Sequence, residues 1–300
     1  MLVTMKEILD RASKGYYAVP APNVGGEREA RAAIEAAEEL NSPIIIDVGY
    51  SAHPDLVFFG SYLTTLANQS TVPVAINLDH GGHNSVAMLR DPITAIRAGF
   101  SSIMVDRSMF DYETNLSMVA EIVPVAHAVG VSVEAELGHV GEGADPDGST
   151  HLTDPSQALD YIQRTGVDCL AVSIGTAHGA YAKGFVPKID FDRLHEIKKV
   201  TGEFPLVMHG GSGTGDENIK RACAEGINKV NLCNELLGSA AAALMKADLT
   251  GNGAYGLWDV LVQGWKDRLM FQIENMGAAG KAWETKPVGV RKDTKATMAE

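Results

Sequence analysis

Three histidines in this 300-residue chain stand where an imidazole could do chemistry: His80 in Asn77-Leu78-Asp79-His80-Gly81-Gly82-His83, His178 in Ile174-Gly175-Thr176-Ala177-His178-Gly179, and His209 in Val207-Met208-His209-Gly210-Gly211-Ser212-Gly213. Each follows a short apolar run and precedes glycine. Three converging imidazoles make an open divalent-metal site with a fourth position for water or substrate, and zinc, Zn2+, one ion per subunit, fits such a set best. The spacing is not local, so ordinary buried or capping histidines remain an alternative until a fold brings the three together. Asp79 directly precedes His80, which places a carboxylate within proton-transfer range of whatever the metal binds; it is the candidate catalytic acid/base. Asp106 and Glu136 end two further runs. They would hold a second divalent or monovalent cation or orient the histidines from behind, with an N-cap or a strand-end ion pair as the plainer reading. The turn Gly210-Gly211-Ser212-Gly213 offers bare N–H groups and a hydroxyl to an anion, and Gly179 and Asn231 can complete the cradle. A phosphorylated substrate follows, unless the turn is only a tight connection.

Residues this far apart meet only if the elements carrying them end on one face. Eight short apolar runs supply that: 17–20, 43–48, 74–78, 102–105, 132–137, 169–174, 205–208 and 229–232. Helical-period segments lie between them, including 27–40, 111–129, 190–200, 217–225 and 234–246. Near-continuous apolar strands alternating with helices imply a parallel sheet covered on both sides. Eight such units predict an α/β fold, a single (β/α)8 TIM barrel over residues 1–282, followed by a charged tail, 283–300, that frays or docks on a neighbouring subunit. Asn23, Asp47, Asp79, His80, Asp106, Glu136, His178, His209 and Asn231 all fall at or just past the C-terminal end of a run, the rim on which barrels build active sites. The glycine-rich segment 138–154 reads as a long loop over that rim, a candidate lid. His127 and His195 lie on helix segments and read as structural.

Composition narrows the partners. With 45% hydrophobic and 21% charged residues the chain is an ordinary globular one, which excludes disorder, collagen and coiled coil. Acidic residues outnumber basic ones by 38 to 25, and a net charge of −13 repels nucleic acid and anionic lipid. The residues before Ala12 lack an export leader's apolar stretch, and no apolar run approaches the roughly 20 residues that cross a bilayer. Cys169, Cys223 and Cys233 are an odd count without CxxC spacing; Cys169 and Cys233 sit in apolar runs that commonly bury free thiols, which suits a reducing cytoplasm.

From about Met5 to Lys281 the chain resembles the class II, metal-dependent ketose-bisphosphate aldolases, the family of fructose- and tagatose-bisphosphate aldolases. The resemblance rests on LDHGGH (78–83), VEAELGHVG (133–141), GVDCLAVSIGTAHGAY (166–181), PLVMHGGSG (205–213) and GINKVNL (226–232), in that order. It implies catalytic metal ligands at His80, His178 and His209, a general acid/base at Asp79, and phosphate contacts at Gly179, Gly210, Gly211, Ser212 and Asn231. It also implies reversible cleavage of a ketose phosphate or bisphosphate to dihydroxyacetone phosphate and an aldehyde through a metal-stabilised enediolate, in a homodimer or homotetramer. Lys229 reads as the first residue of strand eight rather than its end, consistent with a Lewis acid in place of a Schiff base.

Departures from the family pattern concern the substrate. Asn77 stands where the family often has His, Gly49 about where it has Ser, and Arg107 where it has Gly. Asn234 replaces a phosphate-side Thr, and the lid's proton-donating Glu aligns with Ala144, flanked by Glu142 and Asp145. Asn23, Arg107, Glu142 and Asp145 are therefore candidate substrate or lid residues. Arg107 would meet a second phosphate, a carboxylate or a sulfonate, or else pair with Asp111. The preferred ketose is thereby expected to differ from fructose 1,6-bisphosphate. Two other functions compete: a catalytically silent aldolase-like structural subunit, which the intact Asp79 and histidines disfavour, and a metal-dependent hydrolase on the same scaffold, which would leave the phosphate turn idle.

Overall fold

The computed structural model describes residues 1–49, 52–82, 87–141, 151–179, 181–182 and 184–284. Eight parallel strands carry the site: β1 (Val19–Pro22), β2 (Ile44–Gly49), β3 (Val74–Gly81), β4 (Ser102–Val105), β5 (Ser132–Leu137), β6 (Cys169–Val172), β7 (Leu206–Met208) and β8 (Ile227–Leu232). They are hydrogen bonded in the order β1-β8-β7-β6-β5-β4-β3-β2. At the C-terminal rim Asn23 bridges to Asp47 in parallel, joining the ends of β1 and β2 and nearly closing the cylinder. Each strand hands over to a helix that buries its apolar stripe on the outside, giving the (β/α)8 barrel the strand runs imply.

The outer helices include α2 (Glu27–Glu39), α3 (Leu56–Gln69), α4 (Ala87–Arg97), α5 (Tyr112–Ala128), α6 (Pro155–Thr165), α7 (Phe191–Thr201), α8 (Asp216–Ala224), α9 (Asn234–Lys246) and α10 (Leu257–Asn275). Ahead of them α1 (Met5–Gly15) starts at Thr4, whose hydroxyl caps the Glu7 N–H, and stops at Tyr16 in the left-handed region. It buries Met5, Ile8, Leu9 and Ala12 and packs against β1, β3, β5 and β8, plugging the end of the barrel opposite the site.

Strands β4 and β5 keep their expected bounds; the other six shift by one to three residues, and three of these shifts bear on the site. β1 starts two residues later than position 17 because the αL turn at Tyr16 leaves Tyr17 and Ala18 as a link, held by Ala18 N–H on the Met276 carbonyl. β3 runs on past Leu78 through Asp79 and His80: the register slips between Leu78 and Gly81, so a bulge adds a residue against β4 and His80 takes φ +51°. β8 begins at Ile227, so Lys229 is a mid-strand residue rather than its first, fully buried inside the barrel. Of the expected tail, Trp283 stacks beneath the Arg11 guanidinium, 4.2 Å from carbon to ring centre, and residues 285–300 lie outside the described ones.

Along a strand, side chains two apart face the same way. The pairs Asn77/Asp79, Glu134/Glu136 and Lys229/Asn231 therefore build two polar layers inside the cylinder, where apolar packing is the usual filling. In the lower layer one ammonium sits between two carboxylates: Lys229 Nζ lies 3.0 Å from Asp47 Oδ2 and 2.9 Å from Glu134 Oε2, and Asn77 donates to Asp47 Oδ1 at 2.8 Å. The upper layer forms the floor of the site.

Candidate active site

The ends of β3 and β7 and the loop after β6 bring His80, His209 and His178 together, with ring centres 4.7 to 5.6 Å apart. Glu136, from the end of β5, joins them; one ligand atom from each of the four lies within 4.8 Å of all the others. Carboxylates behind the rings decide which nitrogens face inward. His80 Nδ1 donates to Asp106 Oδ2 and His209 Nε2 donates to Glu134 Oε1, both at 2.8 Å, because a carboxylate can only accept. That leaves His80 Nε2 and His209 Nδ1 facing each other at 3.0 Å. Without a metal a proton on His80 bridges the two nitrogens at that distance; a bound cation would displace it and take both lone pairs. Glu136 Oε2 is buried and without a hydrogen-bond partner among the described residues, which suits an oxygen that would ligate a cation. The donor set of three imidazoles and a carboxylate fits zinc.

Electrostatics agree with this geometry. Burial works against a charge on His80, but Asp79, the hydrogen bond to Asp106 and Glu136 outweigh it and push the metal-free imidazole up to about 10. His178 is pushed down to about 3 by burial and by the two neighbouring rings. Burial and the Asp106 charge raise Glu136 to about 8.

Asp79, fifth of the converging groups, is held at both oxygens: Asn23 donates to Oδ2 at 2.8 Å and Asn231 to Oδ1 at 3.0 Å. Burial opposes its ionisation, yet His80, His209 and Lys229 hold the carboxyl well below the usual range. The carboxyl is thereby held as the anion, the form that can accept a proton.

A cleft of about 360 Å³ opens over Asp79 and His178 and is walled by Gly179, Gly210, Gly211, Ser212, Asn231 and Asn234. Its glycines answer to steric need. Gly210 has φ +66° and a Cβ there would strike the Ala177 carbonyl; a Cβ on Gly211 would stand 2.7 Å from the Asn231 carbonyl oxygen. Ser212 Oγ accepts the N–H groups of Cys233 and Glu235, leaving its proton for a ligand.

A sequence model of the family described as fructose-bisphosphate aldolase class-II matches residues 3–281. The chain belongs to that family. It is 40% identical over 242 residues to a fructose-bisphosphate aldolase of Geobacillus stearothermophilus, covering 78% of this chain and 81% of that one. Among solved structures it is similar to the YdjI aldolase of Escherichia coli K12, with 33% identity and a TM-score of 0.83 over 94% of this chain and 100% of that one. The fructose-bisphosphate aldolase of Campylobacter jejuni, at 23% identity, shares the fold with a TM-score of 0.78, over 93% and 96% of the two chains. Class II aldolases are metal-dependent lyases, and this chain is one.

Within this class II aldolase, two sequence expectations shift. Arg107 neither enters the cleft nor pairs with Asp111: its side chain is 1% exposed and donates to the backbone carbonyls of Gly81, Gly82, Asp106 and Met88, while Asp111 caps α5 through Thr114. The bulge in β3 leads into two of those four carbonyls. Cys233, expected to be buried in its apolar run, is exposed on the cleft wall because it is the N-cap of α9. Asp106 stands behind His80 as an orienting group. Asn23 touches Asp79. Glu142 and Asp145, with Ala144, lie outside the described residues. His127 and His195 pair with Asp168 and Glu225 on the outside of the barrel.

Glu134 and Lys229 are the functional positions the sequence reading missed. The signal was present in Glu134-Ala135-Glu136: two acids two apart on one strand must share a face.

Proposed function

We propose that this aldolase reversibly cleaves a ketose phosphate or bisphosphate into dihydroxyacetone phosphate and an aldehyde, with one zinc ion per subunit held by His80, His178 and His209. The 3.0 Å approach of His80 Nε2 to His209 Nδ1, with each ring's other nitrogen committed to a carboxylate, carries this reading. Glu136 supplies a fourth donor. When bound, the cation draws electron density from the substrate carbonyl and its neighbouring hydroxyl. The chain does the rest. Asp79 takes the proton from the C4 hydroxyl as the C3–C4 bond breaks, and the electron pair stays with the three-carbon fragment. Asn23 and Asn231 keep the carboxylate aimed. The N–H groups of Gly179, Gly210 and Gly211, with Ser212 and the Asn234 amide, take the phosphate, fixing the distance from the anchored end to the scissile bond.

The 1–282 barrel followed by a charged 283–300 tail, assembly as a homodimer or homotetramer, and a cytoplasmic place in carbohydrate breakdown complete the reading. No described helix is long and apolar enough to cross a membrane. A panel of ketose mono- and bisphosphates, assayed for release of dihydroxyacetone phosphate with zinc-loaded and chelator-stripped protein, tests it. Turnover of at least one substrate that disappears on stripping and returns with zinc is expected. Retained zinc with no turnover on any member would instead support a silent structural subunit.

A further inference from the structure

Arg107 follows Asp106 just past the end of β4, where the family usually carries glycine. Both terminal nitrogens of its guanidinium are turned to backbone, while Nε is buried without a hydrogen-bond partner among the described residues. Nη1 donates to Gly81 O at 3.1 Å, to Gly82 O at 3.0 Å and to the carbonyl of Asp106, and Nη2 donates to Met88 O at 2.6 Å. Gly81, Gly82 and Met88 flank the connection from β3 to α4, and the first two directly follow the ligand His80.

That stretch is held in an unusual course. His80 is a non-glycine residue at φ +51°, a conformation that persists only where its surroundings impose it. The register slip begins at Leu78 and ends at Gly81, where a side chain would stand 2.6 Å from Leu78 Cδ2 and 2.8 Å from the Met104 carbonyl oxygen. Asp106 fixes the His80 ring, but a hydrogen bond to a ring nitrogen does not fix the peptide that carries it. A planar fork of five N–H donors can grip several carbonyls at once, which a lysine ammonium on a flexible stem cannot reproduce.

We propose that Arg107 is a positioning residue of the metal centre: by gripping the carbonyls of Gly81, Gly82 and Met88 it holds the chain after His80 in the course that delivers this imidazole to His178 and His209. The role rests on the metal-site reading above. It makes a residue outside the cleft a determinant of metal affinity, and it explains why a buried cation is tolerated here, solvated by carbonyl dipoles beside the Asp106 carboxylate.

Zinc affinity of the wild type, Arg107→Met and Arg107→Lys, measured by competition with a chromophoric chelator, tests this, together with the visible absorption of the cobalt-loaded proteins and the melting temperature of the metal-free ones. The Met variant should bind zinc about 10- to 100-fold more weakly, the range for groups that orient ligands from behind, with an altered cobalt spectrum, and the Lys variant should fall between it and wild type. If the Met variant does not fold, the Lys variant decides, with a loss of about fivefold or more expected. Zinc binding within about twofold of wild type and an unchanged cobalt spectrum in a folded variant, even one that melts earlier, would overturn the proposal. A wild type that binds no metal would instead remove the metal-site reading itself.

Discussion

His209 and Glu134 are both fully buried, and the ring donates from Nε2 to the carboxylate at 2.8 Å, which turns Nδ1 toward His80. Lys229 secures the second carboxylate oxygen from the other side. Glu134→Gln keeps the shape but sets an amide N–H₂ against either the Lys229 ammonium or the ring N–H. Zinc affinity should fall about 10- to 100-fold in a folded protein, read by chelator competition. Unchanged affinity would show that the buried carboxylate does not govern the ring.

Asp79→Asn leaves His80, His178 and His209 in place and removes the base. Zinc content by elemental analysis should stay near that of the wild type, while kcat for cleavage drops by about two to four orders of magnitude. His209→Ala should lose zinc and activity together. A fully active Asp79→Asn protein would mean that another group handles the C4 proton.

Metal loading should release protons, with a sign set by the rings. In the metal-free protein His80 is raised to about 10, whereas His178 is lowered to about 3 and His209 is also lowered, burial being the main cause for both. Near neutrality a cation therefore displaces a proton from His80 alone among the three, so apparent affinity strengthens about tenfold per pH unit as pH rises. Glu136, raised to about 8, adds a second proton below that pH if it ligates. Zinc calorimetry in buffers of different ionisation enthalpy should find about one proton released above pH 8 and closer to two near pH 6.5. Affinity independent of pH over this span would contradict the donor set.

Gly211→Ala tests the phosphate cradle. Its methyl would stand 2.6 Å from Val230 Cγ1 and 2.7 Å from the Asn231 carbonyl oxygen, so the turn must shift. Overpacking of this kind costs about 1–3 kcal/mol, which, felt at the bound phosphate, predicts a KM raised about 5- to 150-fold in steady-state cleavage assays. A KM at the wild-type value would place the phosphate elsewhere.

The barrel was legible because parallel strands buried on both faces read as continuous apolar runs, and the site was legible because its polar residues interrupt those runs at their ends. His80, His178 and His209 needed only that rule to become neighbours. Glu134 and Lys229 were hidden for the converse reason: they sit inside apolar runs, and only the closed cylinder shows that their faces meet. Arg107 was misplaced because the bulge at Leu78–Gly81, which leads into two of its four acceptor carbonyls, has no sequence mark of its own. The starts of β1 and β8 moved because an αL residue at Tyr16 and the positive φ of Gly226 fix where each chain segment straightens.

Proton exchange at the hydroxymethyl carbon of dihydroxyacetone phosphate in D2O, followed by NMR without any aldehyde partner, puts the account to its most direct test. Zinc-loaded protein should exchange one of the two hydrogens; chelator-stripped protein and the His209→Ala variant should exchange neither above the uncatalysed rate. Exchange that continues undiminished after stripping would mean that the carbon is activated without a cation at the three imidazoles, and the account would fail.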